Sequence, residues 1–164
     1  MKKVGIVMGS DSDMPVAKKA VDMLKKLDVP YEVHIYSAHR TPAEAKAFAE
    51  NAAAEGFGAL IGIAGKAAHL AGALAANTIL PVIGVPVKSS TLDGLDALLS
   101  TVQMPTGMPV ATVAIDGAAN AGLLAAQIIA VGEPELAERI AAMRKSDAEK
   151  VLAKDKDVLN LLND

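Results

Sequence analysis

The chain predicts a three-layer α/β sandwich, a five-stranded parallel sheet between helical layers with an extra helical tail at the C-terminus. Three observations predict it. Aliphatic runs of strand length alternate regularly with helix-length, often Ala-rich patterns. The runs lack polar alternation, so each strand needs cover on both faces, as in a parallel sheet. A length of 164 residues, 52% of them hydrophobic, suits a single domain, 1–164, with a substantial core.

The elements follow in order. Val4 to Met8 reads as the first strand and Pro15 to Leu27 as a helix, with Pro15 just inside its start and Asp13 available as a cap. Tyr31 to Tyr36 is the second strand, and Pro42 to Glu55 a helix with Thr41 at its cap. Ala59 to Ile63 is the third strand, followed by a helix over Ala67 to Ala76. Val82 to Val85, a helix over Leu92 to Thr101, and a fifth strand from Val110 to Ile115 complete the alternation. This flavodoxin-like unit is finished by Ala130, and residues 131–164 form the tail. There Leu136, Ile140 and Met143 fall at helical spacing between Pro134 and Leu152, and Val158, Leu159, Leu161 and Leu162 crowd a very short helix. So much aliphatic surface needs a place to dock, either a neighbouring subunit or the chain's own sheet.

Composition narrows the partners. The aromatics are Tyr31, Tyr36, Phe48 and Phe57, too few for base-stacking platforms, and a net charge of −3 with interspersed signs leaves no basic stripe. Nucleic acid is therefore not expected as a partner. There is no cysteine for a disulfide framework or a thiolate metal site. The apolar run after Met1-Lys2-Lys3 ends at Gly9, too short for a signal peptide, and no stretch reaches the ~20 apolar residues of a membrane span. The expectation is a soluble, cytoplasmic protein.

Parallel α/β sheets bind ligands outside the carboxyl ends of their strands. The first such loop is Gly9-Ser10-Asp11-Ser12-Asp13, where glycine permits close approach and the hydroxyls of Ser10 and Ser12, with free amides, suit a phosphate. An ordinary turn with an N-cap is the alternative. Neither dinucleotide nor Walker glycine spacing occurs. The second loop, Ser37-Ala38-His39-Arg40-Thr41-Pro42, sets an imidazole beside a guanidinium at a strand-to-helix junction. An arginine at a helix start opposes the macrodipole unless an anion offsets it, so Arg40 points to phosphate, and His39 can serve as both acid and base. Together they suggest proton chemistry on an anionic small molecule.

The third loop runs Gly62-Ile63-Ala64-Gly65-Lys66-Ala67-Ala68-His69-Leu70. Its small residues keep it narrow, with Ala64, Gly65, Lys66 and Leu70 as binding candidates. His69 is either a second catalytic imidazole or a structural cap, whereas His34, mid-strand, reads as structural. Pro86-Val87-Lys88-Ser89-Ser90 lies at the same edge and can close the pocket. The proline-rich loop from Gln103 to Pro109 suits a lid or a reach across an interface.

These motifs together resemble the 5-(carboxyamino)imidazole ribonucleotide mutase family of purine biosynthesis. Met-Gly-Ser-x-Ser-Asp at Met8 to Asp13, Ser-Ala-His-Arg-Thr-Pro at Ser37 to Pro42, Ala-Ala-His-Leu at Ala67 to Leu70 and Val-Gln-Met-Pro at Val102 to Pro105 carry the resemblance, which covers nearly the whole chain. It implies a homo-octamer with active sites near subunit interfaces, and no metal, organic cofactor or ATP. It also implies that Ser10, Asp13 and Arg40 bind the ribonucleotide and that His39 shuttles a proton while a carboxyl group moves from the exocyclic nitrogen to ring carbon 4.

One loop departs from the family pattern Ala-Gly-Ala-Gly-Gly-Ala-Ala-His-Leu-Pro-Gly: Ile63 and Lys66 replace glycines and Ala71 replaces the proline. Related carboxylases, which add free carbon dioxide directly, resemble Ile-Ala-Gly-Arg-Ser-Asn here, with a cation where Lys66 stands. Lys66 either holds a carboxylate or carbon dioxide, or pairs with an acidic neighbour on the surface. A direct carboxylase is thus the alternative activity, and a non-catalytic, receiver-like nucleotide sensor the alternative class. The sensor reading is weakened by Ile63 and Ala64 standing where a receiver needs its phosphoacceptor Asp.

Overall fold

The structure, a computed structural model, describes residues 1–162 apart from the side chains of Leu159 and Leu161. The predicted aliphatic set of the last helix therefore lies partly outside the described residues. Five strands, β1 (Lys3–Met8), β2 (Tyr31–Ile35), β3 (Phe57–Gly65), β4 (Val82–Val87) and β5 (Ala111–Thr112), pair in the order β2-β1-β3-β4-β5. Every pairing is parallel. This is the flavodoxin-like order, and it reverses direction between β1 and β3.

β1, β3 and β4 carry no polar alternation because each has two faces to bury, whereas the edge strand β2 alternates Glu32 and His34 with Tyr31, Val33 and Ile35 and buries none of them fully. On β1, Val4, Ile6 and Met8 point to one side, where α1 (Met14–Lys26) and α5 (Ala118–Ala130) pack. Val7 points to the other, with Leu60, Leu70, Leu74 and Val82. That second layer holds α2 (Pro42–Asn51), α3 (Leu70–Ala75) and α4 (Leu95–Val102). Gly62 and Gly84, register partners on β3 and β4, let α3 and α4 approach closely. A Cβ on Gly62 would stand 2.9 Å from the Ala71 Cα, and one on Gly84 would collide with the Thr101 side chain.

Several boundaries differ from the expected ones, each for a local reason. β5 spans only Ala111–Thr112 instead of Val110 to Ile115. The Gly84 carbonyl accepts from the Val113 amide and the Pro86 carbonyl from the Asp116 amide; the rung between them would need an N–H that Pro86 lacks. The helix expected from Ala67 begins at Leu70, because Lys66 is left-handed (φ 57°) and two tight turns follow, Ala68 N–H to Lys66 O and His69 N–H to Ala67 O, each 2.8 Å. The helix expected from Leu92 begins at Leu95, since Leu92, Asp93 and Gly94 take positive φ in succession. α2 stops at Asn51 rather than Glu55, and the chain turns through Gly56 at φ 85°.

The caps also differ. Asp13 and Thr41 occupy the N-cap positions of α1 and α2, yet neither side chain bonds its helix. The Asp13 carboxyl is turned into the structure and nearly buried. The Thr41 hydroxyl is tied back to Ser37, accepting its N–H at 2.8 Å and donating to its carbonyl at 3.2 Å.

The tail splits in two. The start of α6 (Pro134–Lys156) docks on its own chain: Leu136 and Ile140 join the α1/α5 core, and Arg139 Nε donates to the Leu27 carbonyl at 3.0 Å. Beyond Met143 the helix is exposed, Val151 and Leu152 included, as is Val158 of α7 (Val158–Leu161).

Candidate active site at the carboxyl edge of the sheet

The loops after β1, β2, β3 and β4 open onto one cleft of about 650 Å³ at the carboxyl edge of the sheet, over the reversal of strand order. Every residue put forward from sequence as a catalytic or substrate-binding candidate lines it: Ser10, Ser12 and Asp13 from the first loop, Ser37, His39 and Arg40 from the second, and Ala64, Gly65, Lys66, His69 and Leu70 from the third. His34 does not. It stacks on Tyr36 with ring centroids 5.0 Å apart and sits 3.6 Å from a Glu32 carboxylate oxygen, the structural role expected of it.

The first loop is both a turn and a lining. The Ser10 hydroxyl accepts the Ser12 N–H at 3.3 Å and donates to Asp11 at 3.0 Å, bracing a short 3-10 turn over Asp11–Asp13. Asp13, only 7% exposed, ends that turn. Burial pushes its carboxyl above the ordinary carboxylate range; a backbone hydrogen bond at Ser10 opposes the shift and the Asp11 charge adds to it.

The second loop is stitched to the first by Arg40. Its Nη2 donates to the Gly9 carbonyl at 3.0 Å, and both its backbone N–H and its Nε reach the Ser37 hydroxyl, at 3.2 and 3.5 Å. A guanidinium carries five donors, so this anchoring leaves several for an anion. His39 beside it is exposed, and its ring makes no hydrogen bond among the described residues, leaving both nitrogens open to a ligand. His69 lies over Gly72, where an added Cβ would come within 3.2 Å of its Nδ1 and 3.0 Å of the Met104 sulfur. The glycine thus makes room for the imidazole. It also locates the Gln103 to Pro109 loop behind α3: that loop is no part of the lining of its own chain's cleft.

Three of the lining residues are cations, Arg40, Lys66 and Lys88. Lys88 pairs with Asp93 at 3.1 Å, and its backbone N–H donates to Asp116 at 3.0 Å. Lys88, with its neighbours Val87 and Ser89, is a lining residue that reading the sequence placed only as a loop that can close the pocket. The signal that finds it is the register, in which Gly65 pairs with Val87 and sets the β3 and β4 loops side by side.

Hydroxyls, a guanidinium, a buried carboxyl and two imidazoles around one crevice define an α/β protein built to take a small anionic ligand at the switch point of its sheet. The chain belongs to the AIR carboxylase family, whose model matches residues 3–150. It is 54% identical to the N5-carboxyaminoimidazole ribonucleotide mutase of Pyrococcus horikoshii, over 93% of this chain and 86% of that protein. It is 53% identical to the mutase of the same name from Thermotoga maritima, over 94% and 90%. The crystal structure of Treponema denticola PurE superposes with a TM-score of 0.86 at 32% identity, covering 94% of this chain and 96% of that one.

Proposed function

We propose that this chain is an N5-carboxyaminoimidazole ribonucleotide mutase, an isomerase of de novo purine biosynthesis. The observation that carries the reading is the convergence of His39, Arg40, Ser10, Asp13 and His69 on one cleft, in a chain 54% identical to a mutase. Neither a direct carboxylase nor a non-catalytic sensor is favoured by those relatives.

The residues divide the work by their chemistry. Arg40, with the hydroxyls of Ser10, Ser12 and Ser37, holds the phosphate through charge-assisted hydrogen bonds. Asp13 can only accept when ionised, so it suits ribose hydroxyls rather than phosphate oxygens. Ala64, Gly65 and Leu70 present a narrow, largely apolar wall to the imidazole ring, with Lys66 at its rim.

The substrate's N-carboxylate is a labile carbamate. Its carbon–nitrogen bond breaks, carbon dioxide departs, and the electron pair left on nitrogen takes a proton from the His39 imidazolium. The released aminoimidazole is enamine-like at carbon 4, and that carbon attacks the carbon dioxide held beside it. His39, now neutral, removes the carbon 4 proton and restores aromaticity. One proton leaves His39 and one returns, so the step balances as an isomerisation. His69, across the cleft in the third loop, serves as the second imidazole.

The same reading makes the protein a cytoplasmic homo-octamer with its active sites near subunit interfaces. Support comes from the apolar stripe of Leu92, Leu95, Leu99 and Val102, exposed on and just before α4, and from the exposed outer part of α6. No described helix is long and apolar enough to cross a membrane. The activity is tested by supplying either the carboxyamino ribonucleotide without bicarbonate or aminoimidazole ribonucleotide with it. Faster formation of the carbon 4 carboxylate from the first is expected. Preference for the second identifies a carboxylase, and binding without turnover a sensor. Sedimentation velocity reads the assembly.

A further inference from the structure

We propose that Lys66 recognises the migrating carboxyl group itself, as the carboxylate-binding residue of the cleft. The inference rests on the mutase reading and extends it to the one group that the reaction moves.

The first observation is charge. Arg40 is tied to Gly9 and Ser37, and Lys88 is paired with Asp93. Lys66 lines the same cleft, and among the described residues its ammonium makes neither an ion pair nor a hydrogen bond. No acidic neighbour takes it up among the described residues, so an exposed lysine without a counter-charge stands on the lining of the cleft.

The second is backbone conformation. Lys66 sits just past the Gly65–Val87 rung at φ 57°, a conformation that costs a non-glycine residue about 1 kcal/mol and that glycine adopts freely. Tight turns bind its carbonyl and that of Ala67, so the residue is held there rather than straying into it. Strained residues gather at ligand sites, and among the described residues Lys66 is the one left-handed non-glycine residue on the lining of the cleft.

The third is position. β1 lies between β2 and β3, so Arg40 and Lys66 stand on loops two strand spacings apart, about 10 Å. A ribonucleotide held by its phosphate at Arg40 reaches across β1 and presents its base, with the carboxyl group, to the β3 loop. Substrate and product both carry that carboxylate, and the aminoimidazole intermediate does not. Lys66 therefore tightens binding of the two carboxylated species and is indifferent to the third.

Isothermal titration calorimetry of the native protein and of Lys66→Met, Lys66→Arg and Lys66→Gly, with the carbon 4 carboxylated nucleotide and with aminoimidazole ribonucleotide, tests this. Lys66→Met and Lys66→Gly are expected to bind the carboxylated nucleotide about tenfold more weakly, with aminoimidazole ribonucleotide unchanged and Lys66→Arg close to the parent. Lys66→Gly should also melt higher than Lys66→Met, because only glycine removes the left-handed strain. Equal weakening of both nucleotides, or no weakening in Lys66→Met, overturns the assignment while the mutase reading stands. A native protein that binds neither nucleotide overturns both.

Discussion

Replacing Gly62 with alanine puts a methyl group where α3 rests on the sheet, and the consequence can be worked from three distances. The new Cβ would stand 2.9 Å from Ala71 Cα, 3.0 Å from Ala71 Cβ and 3.1 Å from Ala71 N. None of these atoms belongs to a side chain that can swing away. β3 cannot retreat either, because Gly62 is paired to Val7 on one side and Gly84 on the other. The helix must therefore move outward by about half an ångström to regain ordinary contact, an overpacking cost of about 1–3 kcal/mol. For a domain of this size that lowers the melting temperature by roughly 3–10 °C. The displaced helix carries Leu70 and follows directly on His69, both lining the cleft, and a shift of that size lowers turnover by about tenfold. Differential scanning calorimetry and steady-state kinetics on the same sample read both effects. A Gly62→Ala protein that melts within about 1 °C of its parent and keeps its turnover would refute the argument that this close approach positions the third loop.

Two further outcomes are expected. On the proposed mechanism, in which the ring transfers a proton and does not anchor, His39→Asn should bind the ribonucleotide with near-parental affinity in calorimetry yet lose at least about a hundredfold in turnover; an active variant would remove His39 from the mechanism. Asp13→Asn should weaken ribonucleotide binding and stabilise the fold at neutral pH. Burial raises the Asp13 carboxyl in the native state, so the folded protein holds that proton more tightly than the unfolded chain and loses stability as pH rises through the raised value. The amide carries no such penalty. Its advantage in thermal melts should thus be present at pH 7 and fade below about pH 4, and an advantage independent of pH would contradict the cause given for the shift.

The loops were readable in the sequence because their chemistry is local. Ser37 to Pro42 places an imidazole and a guanidinium on adjacent residues, and no fold is needed to see that an arginine at a helix start asks for an anion. Asp13 and Thr41 show the limit of the same reasoning. Both stand at cap positions, but Ser37 claims the Thr41 hydroxyl and the cleft claims the Asp13 carboxyl. The β5 boundary was legible in principle from Pro86, but only once the pairing says which neighbour that missing amide would have served.

Apolar runs without alternation, separated by helical patterns, determined by themselves that this chain makes a parallel sheet covered on both faces, because such strands have no side that water can occupy. They also determined which residues end those strands and therefore lie at the carboxyl edge. The tertiary structure alone decided the order β2-β1-β3-β4-β5. Strand order is set by how helices of given length and small-residue contacts such as Gly62 on Ala71 pack across the sheet, an energy shared among residues far apart in sequence. That order puts Arg40 and Lys66 on opposite sides of β1, brings Lys88 alongside Gly65 and the third loop, and leaves Lys66 without a counter-charge among the described residues.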